Sequence, residues 1–145
     1  MQISIQQINH THHFYSGVWQ VREDVLRKPL GLSLVNEDLG RDAINEIFIA
    51  LNNEIVIGCV LMQPLSEHEI QLRAMAVYND WQGKGIGKML VQAAERFSKT
   101  NGFNKITLHA RKVAIGFYEN MGYIITSGEF TEVGISHYMM EKVLH

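Results

Sequence analysis

The chain has 145 residues, 46% of them hydrophobic and 19% charged, which suits one domain (1–145) folded round one core. A net charge of −2, with bases interleaved among acids, gives no bias toward nucleic acid or an anionic membrane surface. The single cysteine, Cys59, excludes an intramolecular disulfide and lies in an apolar run, where it reads as a small buried hydrophobe. No run approaches the roughly 18 apolar residues of a membrane span. His and Gln interrupt the start of the chain, so no signal peptide is expected and a cytoplasmic location is the default.

Residues 2–8 place Ile3, Ile5 and Ile8 near period two and read as a first strand. Phe14, Val18, Trp19, Val21, Val25 and Leu26 make a helical stripe over 11–26, with Thr11 as its N-cap. Residues 27–43 carry Pro29, Gly31, Asn36, Asp38 and Gly40 and read as a loop or broken helix. Ile47–Leu51 and Ile55–Leu61 read as a hairpin turning at Asn52-Asn53, since Asn accepts left-handed backbone angles. A third strand, Ile70–Val77, completes an antiparallel meander.

A turn over Tyr78–Trp81 leads to alternating glycines and then a helix. In that helix Ile86, Met89, Leu90, Ala93, Ala94 and Phe97 recur at i, i+3, i+4, i+7, i+8 and i+11. Gly102 supplies its C-terminal cap, and Ile106 and Leu108 begin the next strand. The strand–helix–strand order implies a parallel crossover. A short helix over Val113–Met121 and two strands, Tyr123–Thr126 and Ser136–Lys142, close the chain.

The chemistry concentrates in Gln82-Gly83-Lys84-Gly85-Ile86-Gly87-Lys88. Glycines at a strand-to-helix junction let the backbone bend tightly and approach a ligand closely. The first helical N–H groups lack intrahelical partners, and the helix dipole adds positive charge, so a phosphate or pyrophosphate is the natural guest. A flexible turn at a helix start is the plainer reading of the glycines alone. The P-loop pattern fails, because Gln82 holds its first glycine position and Met89 follows Lys88. The dinucleotide fingerprint fails because the third glycine comes one residue early.

The segment Met75-Ala76-Val77, followed by Trp81 to Leu90, resembles the acetyl-CoA loop of the GNAT superfamily of N-acetyltransferases, Q/R-x-x-G-x-G/A at a helix start. His109-Ala110-Arg111, Ala114, Phe117-Tyr118-Glu119 and Gly122-Tyr123 resemble the family's second motif. Glu129 to His137 is similar to the ElaA-like branch. The resemblance implies a mixed α/β (α+β) sheet, with an antiparallel N-terminal meander, a parallel βαβ crossover, about seven strands and about four helices. It implies acetyl-CoA as cosubstrate, no metal, and transfer of the acetyl group to a primary amine of a small molecule or peptide by direct attack. A non-catalytic CoA-binding regulatory module with the same fold is the alternative. A homodimer is compatible with either.

By the same resemblance, pantetheine lies along Met75, Ala76 and Val77, and pyrophosphate on the amides of Gln82, Gly83, Lys84, Gly85, Ile86, Gly87 and Lys88. His109, Ala114, Phe117 and Tyr118 complete the cofactor site, although His109 stands where Asn is common. Tyr118 is the candidate acid for the leaving thiolate, with a packing role as the plainer reading. A bulge in the strand before the glycines would splay it from its neighbour. For the base, Gln71 falls where some members carry Glu and cannot serve. Glu69 is one candidate, His137 another, and a water chain a third. Histidine changes charge near neutral pH, which suits it to taking an ammonium proton; a structural hydrogen bond at a strand end explains His137 equally well. The cluster His10, His12 and His13 lacks cysteine or carboxylate at ligand spacing and reads as a solvated helix start. Arg22, Glu23, Asp24 and Arg27 either line an acceptor pocket or, as the simpler reading, form a solvated helix face.

Overall fold

The structure, a computed structural model, describes residues 2–145. Strands β1 (Ser4–Ile8), β2 (Glu46–Asn52), β3 (Ile55–Pro64) and β4 (Glu69–Val77) pair antiparallel in that order. β2 and β3 are almost wholly apolar because both faces of the sheet are covered. Phe48, Val60 and Met62 join Leu90 and Ala94 of helix α2 (Ile86–Thr100) in one core. Ile47, Ile49, Cys59 and Leu61 join Val18 and Val21 of helix α1 (Tyr15–Arg22) in the other. The β2–β3 turn uses Asn53 and Glu54, at φ 50° and 65°, one residue later than the sequence suggests.

Thr11 does not cap α1. Its N–H and hydroxyl both donate to Asn9 Oδ1, at 3.0 and 2.6 Å, so Asn9 forms the turn and the helix starts after Phe14. From Arg22 the helix widens into a π-helical turn, Glu23–Arg27, and then breaks into 3₁₀ turns at Lys28–Leu30, Leu34–Asn36 and Gly40–Ile44. Pro29 and the polar, glycine-bearing spacing keep this stretch from closing into a regular helix.

Strand β5 (Lys105–Arg111) returns parallel to β4 after α2. A 3₁₀ turn at Lys112–Ala114 leads into the short helix α3 (Ile115–Glu119). Strands β6 (Ile124–Ile125), β7 (Phe130–Glu132) and β8 (Ile135–Val143) finish the chain. The sheet order is β1-β2-β3-β4-β5-β8-β6, with β7 also on β8. The mixed sheet, antiparallel meander and parallel crossover are those expected. It has 8 strands rather than about seven, because β7 is a short polar strand held by its pairing to β8. Among the described residues three segments are α-helical, against the about four that the resemblance implies, and the 3₁₀ turns after Arg27 form the broken helix that the sequence suggests over 27–43. No helix among the described residues is long and apolar enough to cross a membrane.

Candidate active site

Strands β4 and β5 run together only from Glu69↔Lys105 to Leu72↔Leu108. Beyond Leu72 an extra residue enters β4. Its register against β3 slips between Cys59 and Leu61, and Ala74 takes φ 53°. A bulge bends and twists its strand, so β4 leaves β5 here. The edge of Arg73–Val77 that faces β5 is left without a strand partner, and His109–Arg111 pair only with β8. Two unpaired backbone edges therefore diverge around a wedge, the kind of edge an extended amide chain can augment. A cavity of ≈ 810 Å³ fills it, lined on the β4 side by Met75, Ala76 and Val77 and on the β5 side by His109.

The glycine loop closes one end of the wedge. Gln82 Nε2 donates to Val77 O at 2.9 Å and Asn79 Oδ1 at 3.2 Å, which pins the loop to the end of β4. Gly85 is the N-cap of α2 at φ 81°, and Gly83 lies at φ 76°, angles that disfavour any side chain. A Cβ built on either glycine meets nothing within 4 Å, so the space they leave is open. The N–H groups of Gly85, Ile86, Gly87 and Lys88 find no acceptor among the described residues. Gln82, Gly83, Gly85 and Ile86 line the cavity, as do Gly87 and Lys88. Lys84 does not; its Nζ sits 5.8 Å above the Trp81 ring centroid.

Helix α3 contributes Phe117 and Tyr118, with Ala114 just before it. Tyr118 is 5% exposed and its ring packs edge-on to Phe117 and Tyr123. Its hydroxyl has no hydrogen-bond partner among the described residues, and burial pushes its pKa well above the ordinary tyrosine value. It is therefore a protonated, unengaged donor facing the cavity.

His137, on β8, also lines the cavity and is 4% exposed. Its Nδ1 lies 3.0 Å from Ile135 O. A carbonyl only accepts, so Nδ1 carries the hydrogen and Nε2 of the neutral ring is the acceptor. That Nε2 lies 3.7 Å from Glu132 Oε2. Glu132 also reaches His109 Nδ1 at 3.2 Å, so one carboxylate stands between two imidazoles. The β7–β8 hairpin, turning through Val133 and Gly134 at φ 47° and 78°, makes this possible. Phe130 stacks on His137 with ring centroids 5.9 Å apart. Glu132 is unmarked in the sequence, because β7 has no hydrophobic alternation. The near-hairpin spacing Glu132-x-Gly134-x-x-His137 was the available signal.

Glu69, expected as a candidate base, stands away from the cavity: it opens β4 at the end where β4 and β5 are still paired and pairs with Lys105 Nζ at 3.0 Å. Gln71 does line the cavity, but an amide is not a base. Cys59 is buried and burial pushes its thiol up to about 12, so it is an inert core residue.

The far end of the cavity is polar. Arg22 and Glu23 are 3% and 6% exposed, which overturns the solvated-face reading for these two: the turns carrying Ser33, Leu34 and Asp42 fold against them. Arg22 Nη1 and Arg73 Nη1 both donate to Asp42, at 2.7 and 3.1 Å, and Tyr15 donates to it as well. Burial raises the pKa of Asp42, but the Tyr15 hydrogen bond and the Arg22 charge outweigh burial and hold it below the usual range. Glu23 accepts from Ser33 Oγ and Leu34 N at 2.6 and 2.8 Å. Asp24 instead accepts from Tyr78 Oη at 2.9 Å. Arg22, Arg27, Arg41, Arg73 and Arg111 all border the cavity, and of these Arg41 is exposed to solvent.

Among curated proteins, the chain is 36% identical over 75 residues to the uncharacterized protein YyaT of Bacillus subtilis, a match that spans 52% of this chain and 51% of that one. It is 28% identical over 127 residues to a second B. subtilis protein, provisionally named an acetyltransferase, covering 86% of each. Among solved structures, ElaA of Escherichia coli superposes with a TM-score of 0.84 at 17% identity over 97% of this chain and 99% of that one. A GNAT family acetyltransferase of Elizabethkingia anophelis with acetyl-CoA bound gives 0.71 at 20% identity over 98% of each. At these identities the structural likeness is one of fold. The family model described as the acetyltransferase (GNAT) domain matches residues 25–144, from the π-helical turn after α1 through the last strand, and the chain belongs to that family.

Proposed function

We propose that the protein moves an acetyl group from acetyl-CoA to a primary amine of a small molecule or peptide by direct attack. The observation that carries this reading is the wedge between β4 and β5, which ends on the unpaired amides of the glycine loop. The residues fit acetyl-CoA. The two open edges suit the pantetheine amides, and the N–H groups from Gly85 to Lys88, with the α2 dipole and Lys88, suit the pyrophosphate. The family membership and the acetyl-CoA held by the E. anophelis structure support the same assignment.

In the reaction, a neutral amine attacks the thioester carbonyl, the C–N bond forms and the C–S bond breaks. His137 Nε2 takes the proton the ammonium must lose, and Glu132 stabilises the resulting imidazolium. The Tyr118 hydroxyl gives a proton to the departing thiolate, the acylated nitrogen sheds its extra proton to solvent, and solvent returns a proton to Tyr118, so the transfer balances. The products are an N-acetylated amine and CoA. Backbone N–H groups on the free edge of β4 are the donors available to the oxyanion.

The test is release of CoA thiol from acetyl-CoA across a panel of primary amines, with acetylated product identified by mass. Amine-dependent release with matching product supports the reading. Tight acetyl-CoA binding without turnover of any amine would favour the non-catalytic module.

A further inference from the structure

The arginines at the acceptor end are not equally neutralised. Arg27 forms a two-point pair with Glu37, at 2.6 and 3.1 Å. Arg22 and Arg73 share the single carboxylate of Asp42. Arg111, at the end of β5, has no carboxylate partner among the described residues. Its Nη2 donates to Leu26 O at 2.9 Å, which fixes the guanidinium against the π-helical turn Glu23–Arg27 and leaves its other N–H groups free. A half-buried guanidinium with no anion is costly to keep, and burial together with Arg27 lowers its pKa.

Position gives this charge a purpose. Arg111 and His137 are direct cross-strand partners in the β5–β8 ladder, and both border the cavity. Cross-strand partners project side chains to the same face, with Cβ atoms about 5 Å apart. One side of the acceptor end therefore offers an imidazole nitrogen backed by Glu132, suited to an amine. The other offers a free planar fork, suited to a carboxylate.

Resting on the acetyl-transfer reading, we propose that the acceptor is a free amino acid, held by its carboxylate on the Arg111 guanidinium while its amine lies at His137 Nε2. The cross-strand pairing of Arg111 with His137 puts both side chains on one face of the sheet, which suits a molecule that carries an amine and a carboxylate together. A peptide amine, whose nearest carbonyl is an amide, leaves Arg111 unpaired.

The experiment compares amino acids with their carboxamides and decarboxylated amines as acceptors, for the native protein and Arg111→Gln. A charge-assisted pair predicts about 10- to 100-fold higher kcat/KM for the amino acid than for its carboxamide. In R111Q that ratio should collapse toward one, through KM, with the affinity for acetyl-CoA unchanged. A purely structural role for Arg111 would lower all three acceptors alike. Equal rates with amino acid and carboxamide, or a ratio that survives R111Q, would overturn the proposal. If no amine turns over, the transfer reading fails first. The subsite is then read by calorimetry with CoA present, titrating N-acetyl amino acids against their carboxamides: preference for the carboxylate, lost in R111Q, upholds it, and equal affinity or no binding overturns it.

Discussion

Tyr118→Phe separates chemistry from packing. The phenol ring fills the space between Phe117 and Tyr123, and phenylalanine keeps that ring. The hydroxyl donates to nothing in the protein, so its removal breaks no hydrogen bond. The hydroxyl faces the open cavity rather than a sealed core, so its loss should change stability by less than about 1 kcal/mol. At about 2.1 cal/mol/K of unfolding entropy per residue, the 145 residues give about 0.3 kcal/mol/K, so the melting temperature should stay within about 3 °C. Turnover should change far more. Loss of a general acid typically costs 10²–10⁴-fold, and a thiolate leaves readily, so a fall in kcat of about 10- to 100-fold is expected, with acetyl-CoA affinity intact. Because burial holds the phenol protonated far above neutral pH, the loss should be uniform from about pH 6 to 9. Thermal melts by circular dichroism and steady-state thiol release measure the two effects on one preparation. A variant that melts several degrees lower while keeping its kcat would refute the acid role and make Tyr118 a packing residue.

Asp42→Ala strands two guanidiniums. Removing one partner of a buried ion pair costs about 3–5 kcal/mol, so a drop of about 10–16 °C in melting temperature is expected, and a loss under about 3 °C would contradict the network. The folded pKa of Asp42 lies below its unfolded value, so its contribution is present above the unfolded value, near pH 4, and is lost as pH falls through the folded one. Acid titration of stability should show that loss in the native protein and not in Asp42→Ala. Gly85→Val places a β-branched residue at φ 81° in the open space of the loop. Calorimetry should show acetyl-CoA affinity down at least about tenfold, and unchanged affinity would remove the loop from the phosphate site. His137→Gln should lower kcat at least about 100-fold with acetyl-CoA affinity intact, whereas unchanged turnover would assign deprotonation to water.

The sequence carried the parts of the fold that follow a period. β2, β3 and α2 announced themselves by continuous or helical hydrophobicity, and the glycine loop by residue type alone. It was weaker where tertiary contacts decide. Phe130–Glu132 is a strand only because β8 pairs with it, and that pairing is what brings Glu132 to His137. Arg22 looked like a solvent-facing residue on a mixed helix until the Asp42 turn, twenty residues on, was folded against it. Glu69 shares a strand face with Gln71 and Arg73, but alternation says nothing about which end of a strand opens. The bulge at Ala74 decides that, and an alanine carries no sequence mark of a positive φ.

The most direct measurement is a calorimetric titration of the protein with acetyl-CoA, alongside CoA and dephospho-CoA. Saturable one-to-one binding at micromolar strength, weakened by Gly85→Val, is the predicted result. No heat of binding at millimolar ligand would mean that the wedge between β4 and β5 does not hold the cosubstrate, and would contradict the account at its centre.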